Sequence, residues 1–259
     1  MTRDHVAPLD TKHVLIDGLD VGVVAAVARG GDLSGTAAIV GAIEDAAQAH
    51  GTTLENRRLG TQGMIGTFST HARKLICTGE GGFCLTDDAQ LAARLGQLRN
   101  LGQPVGGGGF GTAFGLNYKL PALCAALGVT QLAKLDRRLA ERRRVARRLT
   151  AALEDIEGIA PFPVAKHGQA NCYALLITAA PGAARELGLG LQAAGVVSDT
   201  VRYDYRPLYN TPVFRHSAGQ PCRNAEQLCS TLLALPCHEG VTPADEQRIV
   251  AVCRKVMGS

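Results

Sequence analysis

Residues 66–82 read GTFSTHARKLICTGEGG, and this stretch decides which fold the sequence adopts. Short apolar runs flank its polar centre, His71–Gly81: Ile65–Ser69 comes before and Gly82–Thr86 after. This order predicts a strand, a site loop and a second strand. Lys74 lies in the loop before a glycine-rich turn, so its amine could reach a cofactor while backbone amides approach a phosphate. From the residues alone, a surface lysine in a glycine-rich loop is the commoner interpretation.

A second constellation lies upstream, where the apolar run Ala37–Ile43 predicts a buried parallel strand that ends at Glu44 and Asp45. Carboxylates at the carboxyl end of a strand stand where α/β sheets usually bind ligands. Gln48 follows Asp45 by three residues and lies on the same side if a helical turn begins there. Asp45 could pair with a protonated ring nitrogen or cap a helix, and the residues by themselves favour the cap.

The rest of the chain alternates predicted strands, helices and loops. The elements are a strand at His13–Leu19, a helix at Val21–Arg29 capped by Asp20, a helix at Asp88–Leu101 capped by Gly102, a mobile loop at Gly106–Gly109, a long helix at Pro121–Leu153, a turn at Gly158–Pro163, a strand at Cys172–Thr178, and helices at Ala183–Ala194 and Glu246–Met257. They predict a large α/β domain with a connecting helix over residues 1–150 and a smaller α+β domain over residues 151–259.

Composition and charge narrow the possible classes of protein. Only 4% of the residues are aromatic and none is Trp, so base-stacking platforms for single-stranded nucleic acid are scarce. The arginine-rich run at residues 137–148 has helical spacing, which is typical of a solvated face and leaves nucleic-acid binding as a minor alternative. The cysteines form no C-x-x-C pair, which predicts no metal site. With no evident signal peptide and no membrane-spanning apolar stretch, we expect a cytoplasmic protein.

Several separated motifs resemble the DegT/DnrJ/StrS-type sugar aminotransferases, a branch of the fold-type I pyridoxal-phosphate (PLP) enzymes. The similarity runs through most of residues 37–259 and includes, in order, IEDAAQAHG, FSTHARKLICTGEGG, LRNLG, GLNYKL, QLAKL, YRPLY and LPCH. Several motifs in the right order are much harder to obtain by chance than one. The resemblance implies an α/β fold like that of aspartate aminotransferase, with a central, mostly parallel sheet in the large domain and a smaller α+β domain after it.

The resemblance also implies a cofactor site. Lys74 corresponds to the lysine that forms a Schiff base with PLP and later moves a proton between the amino donor and the cofactor. Asp45 corresponds to the carboxylate that keeps the pyridine nitrogen protonated, and Gln48 to a side chain that bonds near the cofactor's 3-oxygen. Ser69 corresponds to a phosphate-binding serine.

Asn117 corresponds to an asparagine that reaches the phosphate of the neighbouring subunit, so a homodimer is implied, with a heteromer also open. Tyr205, Tyr209 and His238 match stretches near the substrate, although a structural role is about as well supported. Lysine rather than histidine at position 74 favours transamination over the sugar dehydratases of the same family. The implied reaction transfers an amino group from glutamate or glutamine to a nucleotide-linked keto sugar or a keto cyclitol, in amino-sugar or antibiotic-type biosynthesis.

The family's N-terminal section has no evident counterpart in residues 1–36. That section normally holds an opening helix, a glycine-threonine loop that binds the cofactor phosphate, and an aromatic residue that stacks on the ring. Gly35-Thr36 comes immediately before the strand that leads to Asp45, not at the strand-to-helix turn where a phosphate loop lies. This departure keeps a second hypothesis open, that of a truncated, non-catalytic relative that acts as a partner subunit or is inactive.

Overall fold

The computed structural model describes residues 11–16, 19–24, 42–109, 112–217 and 219–258. In chain order the elements are β1 (Thr11–Ile16), β2 (Leu19–Val24), β3 (Ala42–Asp45), β4 (Thr53–Leu54), β5 (Arg57–Arg58), β6 (Ile65–Ser69), β7 (Gly82–Leu85), α1 (Ala89–Arg99), α2 (Ala122–Leu132), α3 (Leu135–Leu153), β8 (Ile159–Pro161), β9 (Gly168–Gln169), β10 (Leu175–Ala179), α4 (Ala183–Ala193), α5 (Asp199–Arg202), α6 (Arg223–Thr231), β11 (Leu232–Leu235) and α7 (Pro243–Met257). Short 3-10 helices lie at Leu208–Asn210 and Arg215–Ser217.

The chain divides into two compact units. Unit 1 comprises the described residues of Met1–Arg137 together with Val164–Asn171, and unit 2 comprises Arg138–Pro163 and Cys172–Ser259. The segment Val164–Asn171 therefore belongs to unit 1, although both of its neighbours in the chain belong to unit 2. The domain boundary that the sequence suggests after residue 150 stays a prediction.

Unit 1 contains a five-stranded mixed sheet in the order β1-β2-β3-β6-β7. Strand β3 runs parallel to β2 and to β6, whereas β1 with β2 and β6 with β7 are antiparallel pairs. Asp45 at the end of β3 pairs with Thr67 of β6, and Ser69 at the end of β6 pairs with Gly82 of β7. The carboxyl ends of β3 and β6 therefore lie at the same edge of the sheet.

The loop before β6 lies directly against that strand, and glycine permits the contact. A Cβ atom on Gly66 would collide with the carbonyl oxygen of Gly60, and one on Gly60 would collide with the Phe68 ring. Gly60 also has a φ of +84°, in the left-handed region that side chains disfavour. Glycine at both positions lets the loop backbone approach β6.

Unit 2 has a three-stranded antiparallel sheet in the order β11-β10-β8. Its core is apolar because α3, α4 and α7 each contribute buried side chains that pack with those of the sheet. The fully buried members include Leu149, Ile177, Leu187, Leu191, Leu233, Leu235 and Ile249. Helix α7 begins with a capping box in which Thr242 and Asp245 bond to each other's backbone amides.

The structure differs from the predicted helix at Val21–Arg29, since Val21–Val24 lie in β2, paired with β1. Three of these four residues are valines, whose branched Cβ atoms favour strands over helices. Residues 25–29 of the predicted helix lie outside the described residues. The preceding strand prediction matches β1 as far as Ile16.

The predicted single helix at Pro121–Leu153 is wrong, because α2 ends at Leu132 and α3 begins at Leu135. The Lys134 amide bonds to the carbonyl of Gln131, three residues back, in a tight turn that interrupts the helical ladder. The predicted turn at Gly158–Pro163 instead contains β8, which pairs with β10. Proline is tolerated in β8 because this strand lies at the edge of the sheet.

Other local predictions are confirmed. Strands β6, β7 and β10 and helices α1, α4 and α7 appear where the pattern places them, within a few residues at each end. Strand β3 ends at Asp45 as predicted, whereas residues 37–41 of its predicted run lie outside the described residues. Asp88 caps α1 by accepting hydrogen bonds from the amides of Gln90 and Leu91. Residues 106–109 form no regular element, and the mobility of this loop stays a prediction. Among the described residues, no helix is both long and apolar enough to span a membrane, and the cytoplasmic location stays a prediction.

Candidate active site

Two parallel strands bring the predicted site segments to one edge of the sheet in unit 1. Asp45 is the last residue of β3 and Ser69 the last residue of β6, and β3 and β6 are neighbours. The loop that carries Lys74 begins directly after Ser69. This is the edge at which open α/β sheets place their ligand sites.

The orientation of Asp45 follows from that of Glu44. Glu44 is buried, and its carboxylate accepts hydrogen bonds from the amides of Gly60, Gln62 and Gly63 at distances of 2.7, 2.5 and 2.6 Å. Successive side chains of a strand point to opposite faces, so Asp45 faces away from this anchor and is exposed. Its Oδ1 atom accepts a hydrogen bond from the Ala47 amide at 3.0 Å, so Asp45 caps a turn rather than a helix.

The loop between β6 and β7 is closed by bonds across its base. The Thr70 amide donates to the carbonyl of Gly81, and the Thr78 amide donates to the carbonyl of Thr70, at 2.9 and 2.8 Å. The hydroxyl of Thr78 also donates to that of Thr70 at 2.7 Å, in a buried position. Leu75 and Ile76 are buried and anchor the middle of the loop. The loop that presents Lys74 is therefore an ordered part of unit 1.

Lys74 lies in a turn at the start of this loop and is partly buried. Its amide donates to the carbonyl of His71 at 2.9 Å. The His71 amide in turn donates to the Ser69 hydroxyl at 3.3 Å, so Ser69 and Lys74 flank one short turn. The Nε2 atom of His71 also lies 3.6 Å from Oε1 of Glu80, and the two side chains form an ion pair only when His71 is protonated.

His50 lies in the turn that follows β3, and no sequence pattern assigns it a role. Its ring is 5.4 Å from that of Phe68 and 6.2 Å from that of Phe83, centroid to centroid, and it is only 2% exposed. Burial lowers the pKa of His50 to about 4, with a smaller lowering by the positive charge of Lys74 and an opposing contribution from the Ser69 backbone. The contact with Ser69 falls outside hydrogen-bond geometry, and neither ring nitrogen has a partner among the described residues.

Asn117 lies on an exposed part of unit 1, in an isolated antiparallel bridge with Asn100. The ammonium group of Lys119 donates to the side-chain oxygen of Asn100 at 3.0 Å. This arrangement fixes the backbone of the GLNYKL motif against the end of α1. The predicted contact of Asn117 with a neighbouring subunit stays a prediction.

The three uncertain substrate residues belong to unit 2. Tyr205 lines an open groove together with Tyr203, Asp204 and Arg206. The Tyr209 hydroxyl donates to Glu226 at 2.6 Å and accepts from the Cys222 amide at 3.2 Å, and the Glu226 bond raises the pKa of Tyr209.

In the same unit, Nδ1 of His238 accepts from the Gly240 amide at 3.2 Å, a local turn contact. These bonds give Tyr209 and His238 structural roles, and their contact with a substrate stays a prediction.

Ion pairs occupy much of the arginine-rich face of α3. Arg138 and Arg142 both pair with Glu239, while Arg144 pairs with Glu141 and Arg148 with Glu246. Side chains held in this way have less charge to offer a phosphate backbone. The structure thus gives no support to the nucleic-acid alternative.

Comparison with known proteins identifies the family. The sequence profile of the DegT/DnrJ/EryC1/StrS aminotransferase family matches residues 21–254. The chain belongs to this family. GDP-perosamine synthase of Caulobacter vibrioides is 32% identical over 219 residues, which cover 83% of the chain and 58% of that enzyme.

Two further relatives agree with this assignment. The UDP-4-amino-4-deoxy-L-arabinose--oxoglutarate aminotransferase of Shewanella sediminis is 27% identical over 241 residues, covering 84% of the chain and 61% of the relative. The structure of S. venezuelae DesV in complex with a ketimine intermediate matches with a TM-score of 0.76 at 26% identity, over 84% of this chain and 58% of that one. The chain therefore spans about three fifths of the length of these relatives.

The family membership confirms the predicted fold-type I architecture. PLP is the cofactor of the DegT-type aminotransferases, which confirms the cofactor prediction for the family. Residues 1–36, in which the sequence shows no evident phosphate loop or stacking aromatic residue, lie largely outside the described residues.

The edge of the unit 1 sheet fits this cofactor. Asp45 offers an exposed carboxylate for a protonated ring nitrogen, and Ser69 offers a hydroxyl for a phosphate. Lys74, in the loop that begins directly after Ser69, offers an amine. An acid, a hydroxyl and an amine thus lie on two chain segments, at the carboxyl ends of β3 and β6 and in the loop that follows β6.

The pH dependence of stability tests the environment of His50. An unfolded chain protonates His50 near pH 6.5, whereas the folded chain resists protonation until about pH 4. Because the unfolded state binds more protons between these values, stability falls as the pH drops from about 6.5 to about 4. We expect this single group to contribute a loss on the order of 2–3 kcal/mol in the free energy of unfolding.

Urea unfolding followed by circular dichroism between pH 4 and 7 measures this effect. His50→Leu should unfold with a shallower pH dependence than the wild type, because the titrating group is gone. His216→Leu, which removes an exposed histidine of unit 2, should keep the wild-type dependence. Equal slopes for His50→Leu and the wild type would show that His50 is not held neutral by burial.

Proposed function

We propose that this chain is a PLP-dependent aminotransferase of the DegT type. The observation that carries the proposal is the placement of Asp45 and Ser69 at the carboxyl ends of the neighbouring strands β3 and β6, with Lys74 in the loop that follows β6. These residue types are the ones that the family's motifs require at these positions. The bonds across the base of the loop order the segment that presents Lys74.

Each residue has a distinct task in the proposed site. When bound, PLP withdraws electrons from the donor's α-carbon, which makes the proton on that carbon labile. Lys74 would hold the cofactor through Nζ and would take up and return this proton as base and acid. The Asp45 carboxylate keeps a proton on the ring nitrogen, and the Ser69 hydroxyl donates to the phosphate. The side-chain amide of Gln48 bonds near the 3-oxygen.

The proposed reaction replaces the oxygen of a ketone with the amino group of a donor. We assign the acceptor to nucleotide-linked keto sugars, with keto cyclitols as the second class, because the relatives include a GDP-perosamine synthase and an aminotransferase of a UDP-linked amino sugar. The second relative is named as an oxoglutarate aminotransferase, and oxoglutarate is the keto acid that forms when glutamate gives up its amino group. Glutamate is therefore the first donor to test, and glutamine the second.

Cofactor binding tests this proposal directly. The purified chain mixed with PLP should develop a visible absorption band distinct from that of free PLP, and borohydride should fix the cofactor to the protein. Lys74→Ala should lose both signals, because the amine to which we assign the Schiff base is gone. Lys134→Ala, which removes an exposed lysine from the same unit, should retain both.

If the wild type and Lys74→Ala both give the spectrum of free PLP, this chain alone is not an aminotransferase. The alternative that it is a partner subunit or an inactive relative then stands. Labelling of Lys134→Ala and Lys74→Ala to the same extent would mean that PLP reacts with surface lysines only.

We also propose that the chain forms a homodimer through an apolar face of unit 1. Leu123 and Val129 of α2 are 86% and 71% exposed, and Phe114 is 94% exposed. Monomeric proteins rarely expose large apolar patches of this kind. The family resemblance places Asn117, in the same part of unit 1, at a neighbouring subunit. A second copy of the chain is therefore the partner to which we assign this face.

Light scattering after gel filtration tests the homodimer. The wild type should elute with twice the mass of one chain, and the double variant Leu123→Glu, Val129→Glu should elute as a monomer, because charges would be buried at the contact. Val213→Glu, at a position of unit 2 that is 78% exposed, should remain dimeric. A monomeric wild type, or a dimeric double variant, would contradict this assignment.

A further inference from the structure

Asn171 is the last residue of the segment Val164–Asn171. This segment belongs to unit 1, although the chain before and after it belongs to unit 2. Strand β9 in this segment pairs antiparallel with β4, in a small sheet of order β5-β4-β9. The amide of Glu55 also donates to the carbonyl of His167 at 3.1 Å. These bonds attach Val164–Asn171 to the chain immediately after the turn that carries Gln48.

The Asn171 side chain bonds directly to the turn that carries Gln48. Its Nδ2 atom donates to the carbonyl of Gln48 at 2.7 Å and to that of His50 at 3.2 Å. Asn171 is only 5% exposed, so these bonds are sheltered from water. A carboxamide has two N–H donors on one nitrogen, which is the number needed to hold two carbonyls that lie two residues apart.

The backbone is strained within the segment and directly after it. His167 has a φ of +63° and Cys172, the residue directly after Asn171, a φ of +53°. Neither residue is glycine, and this region of backbone geometry costs about 1–2 kcal/mol for a residue with a side chain. Two such residues within six positions indicate that the placement of the segment is fixed by its contacts rather than by local preference.

The turn that Asn171 holds follows Asp45 without interruption. Ala46 and Ala49 of this turn are fully buried and pack with Leu59, so the turn is fixed to the core on one side. Asn171 fixes its carbonyls on another side. The backbone from which Gln48 projects is thereby held relative to the end of β3.

We propose that Asn171 is a positioning residue of the cofactor site, which holds the turn at residues 46–50 so that Gln48 stands beside Asp45. This inference rests on the proposed function, because Gln48 has a task only when PLP binds. Asn171 touches neither cofactor nor substrate in this role. It acts through the two carbonyls that it binds.

The Asn171→Asp variant tests this role with minimal change of shape, because a carboxylate cannot donate to either carbonyl. We expect about tenfold weaker binding of PLP, in line with the loss of about 1.4 kcal/mol. The visible band of the bound cofactor should shift in the direction produced by Gln48→Ala. Gln169→Ala, at an exposed position of the same segment, should leave both the affinity and the band unchanged.

A double-mutant cycle separates positioning from general loss of stability. If Asn171 acts through Gln48, the combined variant Gln48→Ala, Asn171→Asp should bind PLP no more weakly than Gln48→Ala alone. The inference would be overturned if the two substitutions reduced PLP affinity additively. It would also be overturned if Asn171→Asp kept the PLP affinity and the band position of the wild type. A variant that merely lost stability would show no shift of the band toward that of Gln48→Ala.

Hydrogen exchange without cofactor distinguishes this inference from the proposed function. The amides of residues 46–50 should exchange faster in Asn171→Asp than in the wild type, while those of unit 2 remain unchanged. Unchanged exchange at residues 46–50 would overturn the positioning role even if PLP binds. A wild type that binds no PLP would overturn the proposed function, and the cofactor role of Asn171 with it, whatever the exchange shows.

Discussion

A buried carboxylate determines the geometry on which the candidate site depends. An ionised side chain loses its water on burial, at a cost of several kcal/mol unless protein donors replace it. Glu44 finds these donors in three amides of one loop, and this loop can lie close enough because Gly60 and Gly66 carry no side chain. Glu44 therefore ties β3 to the chain that leads into β6.

The parallel pairing of β3 and β6 places the candidate site residues at one edge of the sheet. It places the end of β3, with Asp45, beside the end of β6, with Ser69, and so brings together residues 24 positions apart in the chain. The adjoining loop is closed by threonine bonds and contains Lys74. His50 lies where the two segments meet, enclosed by aromatic rings and kept neutral by its burial.

Local pattern was sufficient to predict much of this arrangement. Strands β3, β6 and β7 are apolar runs bounded by polar or glycine-rich residues, and α1 begins at an aspartate that caps it. The break between α2 and α3 was missed because residues 133–134 contain neither glycine nor proline. The strand at Val21–Val24 was missed because its length and small residues also suit a helix.

Contacts between distant parts of the chain account for what the sequence did not predict about the site. Glu44 was recognised only as a strand-end carboxylate, since its three donors become neighbours only when the loop folds onto β6. Asn171 lies more than 120 residues from the carbonyls that it binds, and no local pattern links them. His50 is part of the IEDAAQAHG motif, but its burial could not be predicted, because the rings that pack on it come from β6 and β7.

A crystal structure of this chain grown with PLP would test most directly whether the edge of β3 and β6 forms a cofactor site. We expect electron density continuous from the Nζ atom of Lys74 into the cofactor, with the ring nitrogen at hydrogen-bond distance from the Asp45 carboxylate and the phosphate at the Ser69 hydroxyl. Cofactor bound elsewhere, or a ring nitrogen that faces away from Asp45, would contradict this assignment of the site.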